Sequence, residues 1–489
     1  MESILLGGNG HSLVEFNLKM ANRHGLIAGA TGTGKTVSLQ TLAEQFSKKG
    51  VPVFLVDAKG DLSGLCCKGS ANDKITERLY YIGKKSHEFD TNPVVFWDVF
   101  GQSGQPIRTT VSEIGPLLLS NLLDLNETQS GVLYAVFKVA DDNGMLLLDL
   151  DDLVSMLSHV AENTSELKAQ YGKIASSSIG AIQRRLMVLN EQGFGQFLGE
   201  PALDIADLMQ SDMSGKGFIN IFDVSQLIHK SPKLYATVLL WLLSEVFETL
   251  PEAGDLDKPK FVMFFDEAHL LFDGASKELV KKIEQVIRLI RSKSVGIYFI
   301  SQSPLDIPED IGGQLGMKIQ HALRAFTPKD KKTLSAVSDS FRANEAFDTK
   351  SVITELSMGE ALVSTLNESG SPTPVERTLM CPPLSRIGAA NYAEREAQMS
   401  RSPNRAKYAK EINRESAHEI LAERALKAQQ KADKDAENEV SEKTKNSSSK
   451  RTSSRQSVGE SFMKSISRAL GSQIGRQLVR GVLGSLFKK

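Results

Sequence analysis

One segment of the chain, Gly29–Thr36, matches the pattern G-x-x-x-x-G-K-[ST] at every fixed position. It lies between an apolar run at 25–29 and a helical pattern at 35–48, which is the strand–loop–helix context that this motif requires. Glycines let backbone N–H groups turn inward around a triphosphate, and the helix presents its positive N-terminal end to it. Lys35 is expected to reach the β- and γ-phosphates, and Thr36 to ligate Mg²⁺. The segment therefore predicts a MgATP site made by Gly29, Ala30, Thr31, Gly32, Thr33, Gly34, Lys35 and Thr36.

A second chemical signal is the acid pair Asp266-Glu267, at the end of the apolar run 261–266. Such a pair alone is an ordinary solvated strand end. Beside a phosphate loop it predicts hydrolysis, with Asp266 holding Mg²⁺ through its water shell and Glu267 polarising the attacking water. A switch that only binds ATP does not need Glu267. We expect the acid pair and the phosphate loop to meet on adjoining strands.

Three further polar residues are candidates for the same site. Gln302 follows the apolar run 295–301, and strand ends of a parallel sheet line one crevice, so Gln302 could contact the γ-phosphate or its water. Arg291 precedes that run, and Arg324 is expected on the next strand, 317–326. Transition-state charge on a phosphoryl group is commonly met by an arginine. A loop glutamine without a role and a surface cation at a helix C-terminus are the plainer alternatives for Gln302 and Arg291.

The elements that must position these residues are continuous apolar runs, as expected for strands buried on both faces. They lie at 25–29, 53–57, 94–99, 217–222, 261–266 and 295–301. Helical patterns between several of them predict an α/β fold with a mostly parallel sheet. A hairpin with arms Glu360–Leu366 and Pro374–Met380 is expected near the end of this part.

The predicted organisation is a core at 1–388 with an all-helical insertion at about 109–212. A charged helical extension follows at 389–440, then a disordered linker at 441–460 and a basic tail at 461–489 that is only weakly amphipathic. Residues 443–489 hold eleven Lys or Arg and one acid, whereas the whole chain has a net charge of −1. The tail could contact nucleic acid, contact an anionic membrane surface or be a solvated appendage.

Composition limits the class of protein. Three cysteines form neither a disulfide framework nor a zinc site and fit a reducing compartment. No signal peptide is visible, and the longest apolar run, 234–250, is too short and too charged for a transmembrane segment. We therefore expect a cytoplasmic protein in which 234–250 is a buried helix.

Together, these motifs resemble the HerA/FtsK superfamily of P-loop ATPases, and most closely the bacterial YjgR-type branch of HerA-like helicases. The resemblance covers about 4–385. Besides the phosphate loop, Asp-Glu-Ala-His at 266–269 and Ser-Gln-Ser-Pro at 301–304, the matching stretches are 22–27, 57–62, 240–245, 288–293 and 321–328.

The resemblance implies a RecA-like P-loop NTPase fold, ATP and Mg²⁺ as cofactors, and a homo-hexameric ring with each site between neighbours. An arginine from the next subunit would complete the site; Arg291 matches the position of that finger in FtsK-like motors, and Arg324 is the second choice. Gln302 would sense the γ-phosphate. HerA proteins carry a β-barrel ahead of the phosphate loop, but only 28 residues precede Gly29 here.

Three functions fit these features. The first is a DNA translocase or helicase, for which nucleic acid is inferred from relatives. The second is a protein-directed assembly or secretion motor, favoured by the near-neutral core; a nuclease or another protein is a candidate partner. The third is a regulatory module that uses ATP as a switch, against which Glu267 argues.

Overall fold

The computed structural model describes residues 2–84, 86–254, 256–273, 275–324 and 327–446. The predicted basic tail and most of the predicted disordered linker lie outside them. The chain divides into two compact units, Met1–Ala422 and Glu423–Lys489. The first unit contains the sheet and both halves of the candidate site. In the second unit, residues 423–446 are helical.

A single twelve-stranded sheet organises the first unit. Its order is β2-β1-β12-β11-β10-β3-β9-β8-β4-β7-β5-β6. Strands from β10 to β6 in that order run parallel, and the four at the other end are antiparallel. The strands are β1 Ser3–Gly8, β2 Leu13–Asn17, β3 Gly25–Ala28, β4 Val53–Asp57, β5 Val94–Asp98, β6 Gln105–Pro106, β7 Ile219–Asp223, β8 Phe261–Phe265, β9 Val295–Ser301, β10 Met317–Gln320, β11 Glu360–Ser364 and β12 Glu376–Met380.

The helices fall into two groups by their position in the chain. Those outside the segment between β6 and β7 are α1 Lys35–Lys48, α2 Asp73–Ile82, α10 Ser225–Lys230, α11 Pro232–Thr249, α12 Lys277–Ile290, α13 Glu309–Gly312, α14 Pro328–Asp339, α15 Thr349–Glu355, α16 Tyr392–Ser400, α17 Arg405–Tyr408 and α18 Ala417–Asn446. Between β6 and β7 lie α3 Val111–Leu122, α4 Glu127–Asp142, α5 Leu150–Glu162, α6 Thr164–Tyr171, α7 Ser176–Glu191, α8 Phe194–Phe197 and α9 Ile205–Leu208.

Both faces of the sheet are buried, as the continuous apolar strands predict. In β4, Val53 and Leu55 pack in one cluster with α1, whereas Phe54 and Val56 pack in another with α3, α4 and α11. Because successive strand residues point to opposite faces, this alternation places helices on both sides. The sheet is thus fixed from both sides, so the loops at its edge have a rigid base.

The apolar run 234–250 forms most of the helix α11. Ser231 caps its N-terminus by accepting the N–H of Leu234, and Pro232 occupies the first turn, where a missing N–H costs nothing. Most of its apolar side chains are buried in the protein core. Within the described residues, every helix is too short or too polar to cross a bilayer.

The hairpin prediction is confirmed, since β11 and β12 pair antiparallel with Glu360 opposite Leu379. The expectation that the phosphate loop and the acid pair lie on adjoining strands is wrong. β9 lies between them, with Ala28 of β3 opposite Ser301 on one side and Phe265 of β8 opposite Phe299 on the other. The polar end of β9 is therefore central to the site.

The predicted strand 317–326 is also too long, because β10 ends at Gln320. At the next residue, His321, the side chain contacts the carbonyl of Glu360 on β11. The carbonyl of Ala322 accepts from Ala30 in the phosphate loop, at 2.9 Å. The chain has left the sheet at this point, so Arg324 lies beyond the strand on which we expected it.

Candidate active site

The phosphate loop leaves the carboxyl end of β3 and enters α1. Gly34 precedes α1 with φ 113°, a backbone conformation that glycine adopts without strain, and a Cβ there would lie 3.2 Å from the backbone of Gly359. A Cβ on Gly29 would lie 2.5 Å from the Cβ of His321. Both positions require glycine because neighbouring chain segments lie too close to the loop to leave room for a Cβ atom.

Lys35, the first residue of α1, places its ammonium group against the loop itself. Its Nζ donates to the carbonyls of Gly29, at 2.6 Å, and Ala30, at 3.0 Å. Burial lowers the pKa of Lys35 and the charge of Lys59 lowers it further, whereas Asp266 and Glu267 raise it. The lysine and the acid pair are therefore close enough to interact electrostatically, although they are over two hundred residues apart in sequence.

The acid pair follows β8 with an unusual backbone. Glu267 has φ 48° and ψ 45°, a left-handed conformation that costs a non-glycine residue ~1–3 kcal/mol. Its N–H donates to Oδ1 of Asp266 at 2.9 Å. The hydroxyl of Tyr235 on α11 donates to the carbonyl of Asp266 at 2.6 Å. These contacts fix the turn that points Glu267 away from the strand direction.

The two carboxylates have different surroundings. Burial raises the pKa of Asp266 to about 6, and the neighbouring charge of Glu267 contributes in the same direction. Glu267 lies near His269, with 3.5 Å between Oε2 and Nδ1. A buried carboxylate of raised pKa lacks a full set of compensating positive charges, so Asp266 is a suitable ligand for a cation.

The turn after β4 approaches the same site from the far side of β8. The buried carboxylate of Asp57 accepts the N–H groups of Lys59, Gly60 and Leu62 at 3.2, 2.7 and 3.0 Å. Lys59 lowers the pKa of Asp266 as well as that of Lys35. Our sequence analysis did not assign Lys59 to the site, although an acid at the end of an apolar strand marked the turn.

His321 forms the floor of the phosphate loop. Its Nδ1–H donates to the carbonyl of Glu360 at 2.9 Å, and its Nε2 accepts the hydroxyl of Ser38 on α1 at 3.0 Å. Burial lowers the pKa of His321 to about 4, so the ring is neutral and its two nitrogens have fixed roles. Sequence reasoning missed both His321 and Tyr235, because neither belongs to a motif with a spacing rule.

The remaining predicted residues lie at two edges of the sheet. Gln302 is exposed directly after β9, between the phosphate loop and the acid pair. Arg324 is exposed beyond β10, at the same carboxyl edge as the loop. Arg291 directly follows α12 and precedes β9, so it lies at the opposite, amino edge. The seven residues of β9 separate the two edges by about 20 Å.

Arg291 lines a cleft of about 650 Å³ at that amino edge. No acidic residue appears among the described residues that line it. Its basic lining residues are Arg23, Arg288, Arg291, Lys318 and Arg342. The cleft is consequently a strongly positive surface on the side of the sheet away from the chain's own phosphate loop.

A family model described as Helicase HerA-like C-terminal matches residues 3–489. The DNA double-strand break repair helicase HerA of Saccharolobus solfataricus is 22% identical over 361 residues, which are 72% of this chain and 63% of that protein. The probable helicase MJ1565 of Methanocaldococcus jannaschii is 22% identical over 352 residues, which are 71% and 60% of the two chains. The chain thus spans about three fifths of the length of these curated relatives.

Among solved structures, the plasmid coupling protein TrwB in complex with the non-hydrolysable GTP analogue GDPNP is similar with a TM-score of 0.52. Its sequence is 15% identical, and the match covers 79% of this chain and 91% of that one. The likeness confirms the predicted fold, a mostly parallel α/β sheet of the P-loop NTPase type.

Proposed function

The chain belongs to the Helicase HerA-like C-terminal family, and on that premise we propose that it is a MgATP-hydrolysing motor ATPase that acts on DNA as a ring. The observation that carries the proposal is that Lys35, after β3, and the acid pair, after β8, lie at the same carboxyl edge with one strand between them, where their charges interact. This is the arrangement that cleavage of a terminal phosphate requires: a cation for the phosphates, a ligand for Mg²⁺ and a base for water.

The residues present fit Mg²⁺. The described residues contain no cluster of three or more His, Cys, Asp or Glu that could hold a metal alone. Mg²⁺ bound with a nucleotide takes only one or two protein oxygens and completes its shell with phosphates and water. Thr36 at the start of α1 and Asp266 would supply those oxygens. Bound there, Mg²⁺ neutralises charge on the β- and γ-phosphates.

In the proposed mechanism, the loop N–H groups and Lys35 orient the triphosphate. Glu267 accepts a hydrogen bond from a water molecule and takes its proton as the water oxygen bonds to the γ-phosphorus and the bond to ADP breaks. Tyr235 holds the left-handed turn that carries Glu267, and we propose that this turn directs the Glu267 carboxylate at that water. Gln302 follows β9, the strand between the loop and the acid pair, and we propose that it contacts the γ-phosphate.

The proposal places the site between neighbouring copies. Arg291 is about 20 Å from its own phosphate loop along β9, so within one chain it could not reach the γ-phosphate. Its position in a positive cleft at the amino edge suits contact with the nucleotide of the next copy. We propose Arg291 as that finger in a hexamer. Arg324 is the second choice, since it already lies at its own loop's edge.

DNA is proposed as the substrate because two relatives are described as helicases, one of them for DNA double-strand break repair. The test is the ATP hydrolysis rate of the purified chain with and without single- and double-stranded DNA over a range of salt concentrations. We expect DNA to stimulate hydrolysis and the stimulation to fall as salt rises. A Lys35→Ala variant controls for contaminating ATPases. Equal rates with and without DNA would exclude a DNA-driven motor.

A second candidate is a motor that acts on protein. The net charge of the chain is −1, although residues 443–489 carry eleven basic residues and one acid. The remainder is therefore acidic, and an acidic body is repelled by nucleic-acid phosphates. This candidate predicts hydrolysis that responds to a protein partner, such as a nuclease, and not to DNA. Deleting residues 443–489 and measuring DNA retention at low salt tests the role of the tail.

A further inference from the structure

The turn that follows β4 lies next to the acid pair by strand register. β4 and β8 are parallel neighbours, with Leu55 opposite Phe264, so Asp57 comes level with Asp266. The residues after Asp57 therefore project past the acid pair at the carboxyl edge. Lys59 is the basic residue of this turn, and its side chain is exposed.

The backbone of the turn is held firmly even though the lysine side chain is exposed. Asp57 is 1% exposed, and its carboxylate accepts three backbone N–H groups within the turn. Gly60 has φ 75°, which lets the chain reverse beside Lys59. Because the buried carboxylate of Asp57 fixes this short turn, the backbone of Lys59 is held in a defined position beside the acid pair.

Lys59 and Lys35 approach the site from opposite sides. In the sheet order β3-β9-β8-β4, Lys35 follows β3 and Lys59 follows β4, and the strands that lead to Gln302 and to the acid pair lie between them. Each lysine interacts electrostatically with the other and with Asp266. Two ammonium groups that approach the same site repel each other, and a polyanion bound between them would remove that cost.

We propose that Lys59 is a second phosphate-binding lysine, which contacts the γ-phosphate of the nucleotide held by the phosphate loop. The γ end is assigned because Lys59 enters beside Asp266 and Glu267, where the attacking water must lie, and not from the side of α1. The inference rests on the proposed ATPase function and adds a residue to its site. The contrasting explanation is that Lys59 only balances the charge of Asp61 within its own turn, since Lys59 also lowers the pKa of Asp61.

The experiment compares binding of a fluorescent non-hydrolysable ATP analogue with binding of fluorescent ADP to the full chain. Loss of a charge-assisted hydrogen bond to the γ-phosphate corresponds to roughly a ten- to hundredfold weaker affinity. We expect Lys59→Ala to weaken binding of the ATP analogue by that factor and binding of ADP by less than about twofold. Lys59→Arg, which keeps the charge, should restore most of the difference. Lys74→Ala, at an exposed position on α2, is the matched control and should change neither affinity.

If Lys59→Ala weakened binding of both nucleotides equally, or changed neither affinity, the proposed role of Lys59 would be wrong. Lys59→Met, which keeps the length of the side chain without its charge, provides a second variant if the alanine variant has a lower melting temperature. Failure of this inference is distinguishable from failure of the proposed function. Lys35→Ala should strongly weaken binding of both nucleotides. Unchanged nucleotide binding by Lys35→Ala would contradict the ATP site itself.

Discussion

The hydroxyl of Tyr235 donates a 2.6 Å hydrogen bond to the carbonyl oxygen of Asp266, and through it α11 holds the turn that carries Glu267. Tyr235 is fully buried, so its hydroxyl depends on this carbonyl as its hydrogen-bond partner. The contact offsets part of the strain of a left-handed glutamate.

We therefore expect Tyr235→Phe to lower the rate of ATP hydrolysis by about ten- to a hundredfold while nucleotide affinity stays near wild type, because Glu267 loses its fixed direction. The variant should also be less stable by about 1–2 kcal/mol in denaturant unfolding. Tyr298→Phe is the matched control, since the buried Tyr298 hydroxyl donates to the carbonyl of Ala21 at 2.8 Å, away from the site. If both variants lose stability and neither loses activity, the positioning role of Tyr235 is wrong.

Replacement of the proposed base separates binding from turnover. Glu267→Gln keeps the size of the side chain but cannot take a proton, so hydrolysis should fall by roughly 10²–10⁴-fold while the nucleotide remains bound. Single-turnover hydrolysis and equilibrium nucleotide binding measure the two effects. Glu278→Gln, at an exposed position near the start of α12, should behave as wild type. Wild-type turnover in Glu267→Gln would assign the base elsewhere.

The pH dependence of stability should report the neutral histidine under the phosphate loop. The pKa of His321 is lowered from 6.5 to about 4 by burial, so the unfolded chain binds more protons between these values. Its contribution to stability is therefore present above pH 6.5 and is lost as the pH falls towards 4. The loss is on the order of 3 kcal/mol for a shift of this size.

Denaturant unfolding of wild type and His321→Gln at several pH values measures this effect. The variant should be less stable at pH 7.5, and the difference from wild type should narrow as the pH falls from 6.5 to 4. His11→Gln, at an exposed residue, is the control and should show no pH-dependent difference. A constant difference for His321→Gln would mean that the buried ring does not titrate as described.

The proposed arginine finger can be tested by mixing variants. Arg291→Ala should bind nucleotide normally and lose hydrolysis, and Lys35→Ala should bind nucleotide poorly. Mixed assemblies contain interfaces with an intact Lys35 on one side and an intact Arg291 on the other, so part of the activity should return. Arg184→Ala, at an exposed position on α7, should not impair hydrolysis alone. Mixtures that stay inactive would count against an arginine supplied by a neighbour.

Motif chemistry and strand burial were predictable from the sequence because each depends on a local rule. The phosphate loop has fixed spacing, and fully buried strands such as β4 and β8 are continuous apolar runs. The order of the strands does not follow from such rules. Nothing local to β9 indicates that it separates the phosphate loop from the acid pair, because that order is decided by packing of the whole sheet.

The residues that support the site were missed for a related reason. Tyr235 lies within an apolar helix and His321 directly after β10, and each acts through side-chain hydrogen bonds to distant parts of the chain. The short strands β1 and β2, at one end of the sheet, were also missed, since such brief segments lack a clear period. The end of β10 was misplaced because the apolar character of the sequence continues through Ala322 and Leu323, after the strand pairing has ended at Gln320.

Opposite placement of the phosphate loop and Arg291 restricts how copies of this chain can associate. A two-fold dimer could present the arginine of each copy to the loop of its partner only if one self-complementary patch contained both groups, which lie about 20 Å apart along β9. A head-to-tail contact, in which the amino edge of one copy meets the carboxyl edge of the next, would present the arginine of one copy to the loop of the next without that condition. In an open row of such subunits, the copy at one end receives no arginine from a neighbour, and the copy at the other end supplies none. In a closed ring, every copy supplies Arg291 to one neighbour and receives it from the other.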